Sequence, residues 1–176
     1  MNTVSVIVPV YSKEWLNECL ESIKTQDYKD IEIIVESDPS KTGPAAARNR
    51  GLEKASGEYV LFCDSDDYLE PGAIDLLVRS IEGVDMVCGS FRKFGAFDQV
   101  VTHPTEVLGL DQVAEYVMGN LKNPRTNQMF SGCWAKLFRR ELIGTFPDLT
   151  TAEDVAFNYD YLSRANNVRF ISNIVY

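Results

Sequence analysis

Histidine is nearly absent: His103 is the one histidine in 176 residues. A Ser-His-Asp or Cys-His arrangement would have to use it, and nothing around it supports that chemistry. It precedes Pro104, so a surface or linker position is expected. The four cysteines, Cys19, Cys63, Cys88 and Cys133, are widely spaced and form no C-x-x-C pair. They read as small buried hydrophobes of a reducing cytosol rather than disulfides or metal ligands. Basic charge is also scarce. Lys and Arg total 17 against 26 Asp and Glu, for a net charge of −9, which disfavours nucleic acid as a partner. There is no signal peptide and no apolar run of the ~18 residues a membrane span needs. The sequence contains no G-x-x-x-x-G-K-S/T, G-x-G-x-x-G or G-x-S-x-G.

What remains is ordinary globular composition and enough chain for a single domain with a sizeable core. The first half alternates strand and helix. "VSVIVPV" (4–10) is a continuous apolar run, expected as a strand covered on both faces, with its ladder ending at Pro9. A helix follows with Trp15, Leu16, Cys19, Leu20 and Ile23 on one stripe and Ser12 as N-cap. "IEIIV" (31–35) reads as the second strand. A helix from Pro44 to about Ser56 comes next, then "EYVLFC" (58–63), a helix over 71–81 and a strand over 84–89. This alternation predicts an α/β fold with a mainly parallel sheet flanked by helices, whose ligands bind off the carboxyl ends of strands. Tyr11, Glu36 and Asp64 to Asp67 fall on that rim.

The second half is less regular. Residues 90–102 suit one or two antiparallel strands, and Asp111 suits the cap of a helix reaching about Leu121. "QMFSGCWAKLFRREL" (128–142) reads as a loop entering a helix. A helix over about 152–165 and a strand in "VRFISNIVY" complete the chain. It stops at Tyr176 inside an apolar run, as expected of a piece of something longer or of a natural terminal strand.

Three features on this frame carry chemistry. Asp64, Asp66 and Asp67 crowd the tip of the third strand, fitting either a solvated turn or a hard divalent cation. Arg48 shares the inward helical face of Ala45, Leu52 and Ala55. It needs an anionic partner there, either the strand-tip aspartates or a bound phosphate. Asp154 fits a cap with Thr151, yet it shares a face with Phe157, Asn158 and Tyr161 and so points into the domain, where a carboxylate can act as general base.

The string as a whole resembles glycosyltransferase family 2, with the GT-A (Rossmann-like) fold. The resemblance runs through "VSVIVPVYSKEWLNECLESIKTQDYKDIEIIV" and "GPAAARNRGLEKASGEYVLFCDSDDYLEPGAIDLL", then "GCWAKLFRRELI" and "AEDVAFNYDYL" in the family's order. It implies one GT-A catalytic domain over 1–176, with a nucleotide-sugar part about 1–90 and an acceptor part about 91–176. It also implies a nucleotide-diphospho-sugar donor, usually a UDP-sugar, a Mn²⁺ or Mg²⁺ ion, and transfer with inversion. The acceptor would be a glycan or lipid-linked molecule of cell-surface polysaccharide synthesis. That implies a cytoplasmic location, at the inner face of the membrane, with peripheral association.

By position, Pro9, Val10 and Tyr11 match the nucleobase loop and Glu36 the acid that meets the base. Arg48 matches the Ala-Arg-Asn arginine. Asp64 and Asp66 match the Asp-x-Asp pair at ribose and metal, with Ser65 between them among the donor contacts. Asp154 matches the base of the Glu-Asp motif. Ser12 replaces a common Asn, and Glu36-Ser37 stands for Asp-Asp-Gly-Ser. The usual helix and strand before the Ala-Arg-Asn helix are missing, and Ala135 interrupts a Trp-Asn-Lys pattern. Two further readings stay open: a non-catalytic nucleotide-sugar-binding or scaffold domain, and a phosphoryl-transfer enzyme with an aspartate nucleophile.

Overall fold

The computed structural model describes residues 2–38, 43–94, 98–122 and 130–176. Its elements run β1 (Val4–Val10), α1 (Leu16–Lys24), β2 (Ile31–Ser37), α2 (Pro44–Lys54), β3 (Tyr59–Phe62), α3 (Ala73–Ser80) and β4 (Met86–Lys93). They continue with β5 (Gln99–Val101), β6 (Glu106–Gly109), α4 (Leu110–Lys122), β7 (Lys136–Arg139), a 3₁₀ turn (Arg140–Leu142), α5 (Glu153–Leu162) and β8 (Asn167–Ile174).

The strands form a sheet in the order β2-β1-β3-β7-β4-β8-β6, with β5 on β4. Strands β1, β2, β3, β4 and β8 share one direction, and β5, β6 and β7 oppose them. Alternation along β1 divides the interior. Val4, Val6, Val8 and Val10 pack with Cys19 and Ile23 of α1 and with Ile74 and Leu77 of α3. On the opposite face Ile7 packs with Ala45 of α2, Val113 of α4 and Phe157 and Tyr161 of α5. Helices therefore cover both faces of the sheet. Phe62 anchors the second layer edge-on to Phe146 and Phe157, at 5.3 and 5.6 Å.

Several expectations change in detail. The β1 ladder does not end at Pro9. Ile7 O accepts from Cys63 N at 3.0 Å, so odd-numbered groups of β1 face β3. Pro9 faces that way beyond Phe62, the last paired residue, where no donor is required. Helix α1 starts at Leu16 rather than at a Ser12 cap. The Ser12 hydroxyl instead accepts from Glu14 N–H at 3.2 Å, and Trp15 lies outside the buried stripe.

The expected helix within 128–142 is a strand, with residues 128 and 129 outside the described part. β7 inserts antiparallel between β3 and β4, placing Leu137 in one core layer and Phe138 in the other. Two apolar residues that must serve opposite layers are better placed by a strand's alternation than by a helix. Asp111 lies in the first turn of α4, which follows β6 directly, and the strand expected over 84–89 runs on to Lys93. Helix α5 is capped by Ala152 at φ 62° without a side-chain hydrogen bond, so Thr151 does not cap it. His103 is buried, 8% exposed, between the rings of Phe91 and Phe170.

Candidate functional site

The carboxyl ends of β1, β2 and β3 converge on a cleft of about 160 Å³. Pro9, Val10 and Tyr11 form one wall, Pro44, Ala47 and Arg48 of α2 another, and Asp64, Ser65 and Asp66 the floor. Tyr11 is 82% exposed, with its ring free to meet a ligand. Ser65 is buried and donates to Ser12 O at 3.3 Å, pinning the loop after β3 to the loop after β1.

Arg48 organises the floor. Helix α2 lies close on β1 because Gly51 has no side chain; a Cβ there would stand 2.4 Å from Ile7 Cγ2. One turn earlier, Arg48 is buried and aimed across the sheet ends. Its Nη2 donates to Asp64 Oδ1 at 2.8 Å, and its Nη1 donates to Asp154 Oδ1 at 2.6 Å and Glu153 Oε1 at 3.4 Å. Burial works against the guanidinium's charge. The Asp64 and Asp154 carboxylates and the hydrogen bond to Asp64 outweigh it and hold the group above its usual range. Asp154 responds to the same site. Burial raises its pKa against the pull of Arg48, and the charges of Asp64 and Glu153 add to the rise. Asp154 lines neither this cleft nor the cavity beside it, and its bond to Arg48 connects it to the first.

The three aspartates have separate environments. Asp64 is occupied by Arg48. Asp67 accepts from the Tyr176 hydroxyl at 2.7 Å, and burial, with the charges of Asp64 and Asp66 adding, raises its pKa to about 6. Asp66 is exposed and makes no side-chain hydrogen bond or ion pair among the described residues. Tyr176 Oη also accepts from Asp64 N at 3.0 Å, so this one hydroxyl fixes both ends of the turn.

Glu36 is not brought to the cleft. Strand β2 runs two residues beyond the expected 31–35, which buries Glu36 in ion pairs with Lys54 and, at 3.6 Å, Arg50. Asp38 lines the cleft instead, its Oδ2 accepting from Gly43 N at 2.7 Å ahead of α2. A β2 that runs to Ser37 puts residue 38 at its tip, and that was the missed signal.

Behind the site, the segment 130–134 is tied down from below. Lys136 Nζ is buried and donates to Gly132 O at 2.7 Å and Trp134 O at 3.1 Å. Asn158 Nδ2 of α5 donates to Phe130 O and Gly132 O, both at 3.0 Å. Ala135 takes φ 56°, a left-handed conformation that asparagine adopts more readily than alanine, which gives a reason for the usual Trp-Asn-Lys pattern. All four cysteines are buried free thiols, and burial raises the pKa of Cys88 to about 12 and that of Cys133 well up. Among the described residues no three His, Cys, Asp or Glu side chains are grouped to hold a metal, and no helix is long and apolar enough to cross a membrane.

The sequence model for glycosyl transferase family 2 matches residues 5–43 and 36–145. The chain belongs to glycosyltransferase family 2. Glycosyltransferase GlyA of Streptococcus pneumoniae is 33% identical over 79% of this chain and 25% of its own length. The GalNAc(5)-diNAcBac-PP-undecaprenol beta-1,3-glucosyltransferase of Campylobacter jejuni is 36% identical over 51% of this chain and 38% of its own. S. aureus TarS 1-349 in complex with UDP-GlcNAc superposes with a TM-score of 0.80 at 24% identity. That match covers 99% of this chain and 57% of the TarS 1-349 chain, and establishes the GT-A fold. The chain thus spans about a quarter to two-fifths of the length of these proteins.

Proposed function

We propose that residues 1–176 form the catalytic domain of an inverting, metal-dependent glycosyltransferase. It would move a sugar from a UDP-sugar to a glycan or lipid-linked acceptor of cell-surface polysaccharide synthesis, at the cytoplasmic face of the membrane. Residues 1–90 would hold the donor and residues 91–176 would serve the acceptor. The observation that carries this reading is the convergence of Pro9, Val10, Tyr11, Arg48, Asp64, Ser65 and Asp66 on one cleft at the strand ends. The uracil of UDP would lie against Tyr11, with Asp38 taking the acidic place that Glu36 leaves empty. Two similar proteins support the substrate classes: S. aureus TarS, seen in complex with UDP-GlcNAc, and the Campylobacter enzyme, named for an undecaprenol-linked acceptor.

The carboxylates fit a hard cation. Asp66 is free, Asp64 has Oδ2 in hand beyond its bond to Arg48, and Mg²⁺ is commonly held by one or two carboxylates plus substrate phosphates. A Mn²⁺ or Mg²⁺ held there by Asp66 and Asp64 would neutralise charge building on the departing diphosphate. Arg48 contributes to the same end from a dry, fixed position, where its charge acts more strongly than in water. Asp154 would take the proton from the acceptor hydroxyl. As that oxygen bonds to the anomeric carbon, the bond from carbon to phosphate oxygen breaks on the opposite side. For Asp154 to do so, Arg48 must exchange part of its bond to Asp154 for the donor phosphates, so donor binding would free the base.

Calorimetry with UDP, with and without Mn²⁺, tests the first half. Tighter binding with Mn²⁺ that disappears in Asp66→Asn is expected, and absence of UDP binding in both conditions refutes the donor site. For the base, Asp154→Asn should bind UDP at least as tightly as wild type, Arg48 being less engaged, and lose about 10²- to 10⁴-fold in kcat. Turnover equal to wild type removes Asp154 from the role. The clamp of Arg48 on Asp154 favours one second reading, a non-catalytic nucleotide-sugar-binding domain, for which UDP would bind without any turnover in the full-length protein.

A further inference from the structure

Asp66 has a second cavity on its other side. This one is larger, about 540 Å³, within the usual size range of ligand sites. Five segments build it: the loop after β1 (Ser12, Glu14, Trp15), the loop after β3 (Asp66, Asp67, Tyr68), the end of β4 (Phe91 to Phe94), Trp134 ahead of β7 and Tyr176 after β8. Its walls are aromatic to an unusual degree for an exposed surface. Trp15, Tyr68 and Phe94 are each more than a third exposed. Trp134 stacks on Tyr176 at 5.3 Å and meets Phe91 edge-on at 4.5 Å, while Tyr68 lies 5.7 Å from Phe94. Large rings left in water around one hollow are a mark of ligand contact, and they suit the apolar C–H faces of a sugar.

The charges of the cavity point further. In a chain of net charge −9, this mouth carries two adjacent cations, Arg92 and Lys93. The Arg92 guanidinium lies over the Phe94 ring at 5.8 Å and has no carboxylate partner among the described residues. An arginine resting over an aromatic ring, its N–H groups without a carboxylate among the described residues, is prepared for bidentate recognition of an oxyanion. The acids lie apart from it in role: Asp66 faces the donor cleft, Asp67 is bound by the Tyr176 hydroxyl, and Glu14 sits on the loop after β1. The two cavities meet at Asp66, as a donor and an acceptor must meet within a bond length of one another.

We propose that this second cavity is the acceptor site and that it takes a carbohydrate carrying a phosphate, the sugar lying against the aromatic walls and the phosphate on Arg92. The assignment of this cavity to the acceptor rests on the donor reading of the first cleft. The shared chemistry, sugar plus phosphate, occurs both in pyrophosphate-linked lipid carriers and in polyol-phosphate chains.

Titration of the full-length protein with N-acetylglucosamine 1-phosphate and with N-acetylglucosamine tests the anion directly. Wild type should bind the phosphate at least about tenfold more tightly, the scale of one charge-assisted contact. Arg92→Gln should lose most of that preference, and Arg92→Lys should keep part of it. Equal affinity for the two probes, or a preference that survives Arg92→Gln, overturns the proposal. So does displacement of the sugar phosphate by UDP, or an equal loss of UDP affinity in Arg92→Gln, since either places the effect in the donor cleft. Geranyl-pyrophosphoryl-N-acetylglucosamine and a glycerol-phosphate trimer then separate the two sources, and failure of both to bind above the neutral sugar also overturns it. If UDP fails to bind while the sugar phosphate binds through Arg92, the anion site stands and the donor reading falls.

Discussion

Lowering the pH should destabilise this protein through one side chain. His103 is enclosed by Phe91 and Phe170, and its Nε2 has no hydrogen-bond partner among the described residues. Burial, with the positive charge of Lys136 adding, lowers its pKa from 6.5 to about 4. The unfolded chain therefore takes up a proton below pH 6.5 that the folded chain refuses until about pH 4. The stability contributed by the neutral ring is complete above 6.5 and is lost as pH falls through that window. At about 1.36 kcal/mol per pKa unit, moving from pH 7 to pH 4.5 costs the wild type about 2 kcal/mol through this group. Carboxylates titrate over the same range, so the comparison must cancel them. His103→Phe keeps a ring in the slot without the titration. Urea denaturation of both proteins at pH 7 and 4.5 should show the wild type losing about 2 kcal/mol relative to the variant. A difference between the two proteins that stays constant across that range refutes the reasoning. Because His103 is the only histidine, its imidazole resonances report the same pKa independently.

Two backbone positions give predictions of opposite sign. Gly51→Ala, a change that favours an ordinary helix interior by up to about 1 kcal/mol, should here destabilise by about 1–3 kcal/mol in thermal or urea melts, because the new methyl meets Ile7 Cγ2. Ala152 is exposed at φ 62°, so Ala152→Gly should raise stability by about 0.5–1 kcal/mol, read as a higher Tm. An unchanged or lower Tm would count against strain at the start of α5.

The N-terminal strands and helices were legible because their signals are local. β1 and β3 are short apolar runs, and α2 opens on Pro44. β7 was not legible. It has four residues, two of them basic, and is a strand only because β3 and β4 leave a gap that its alternating Leu137 and Phe138 fill. His103 was misplaced for the same reason, since the rings that bury it come from β4 and β8. In the site, Arg48 could be read as an inward cation and Asp64 as its partner. Its bond to Asp154, 106 residues away, belongs to the fold, as does the burial of Glu36 beneath Lys54 and Arg50. Asp38 was missed through a two-residue error in the end of a strand.

The place of β7 in the sheet bears on how the chain is made. A ribosome releases β1, β2 and β3 long before residue 139, and β3 has no partner on its outer side until β7 arrives. The early half would present a strand with open N–H and C=O groups, the kind of edge that invites pairing with another chain. Closing it requires a segment far along the sequence, which slows folding by the entropy of the intervening loop. The loop bearing Asp64 and Asp66 follows directly from that same strand. That loop finds Arg48 and Ser12 within the N-terminal half, but the hydroxyl that fixes both ends of its turn, Tyr176 Oη, comes 109 residues after Asp67, so a nascent chain holds the loop on an unfinished edge with its turn not yet pinned.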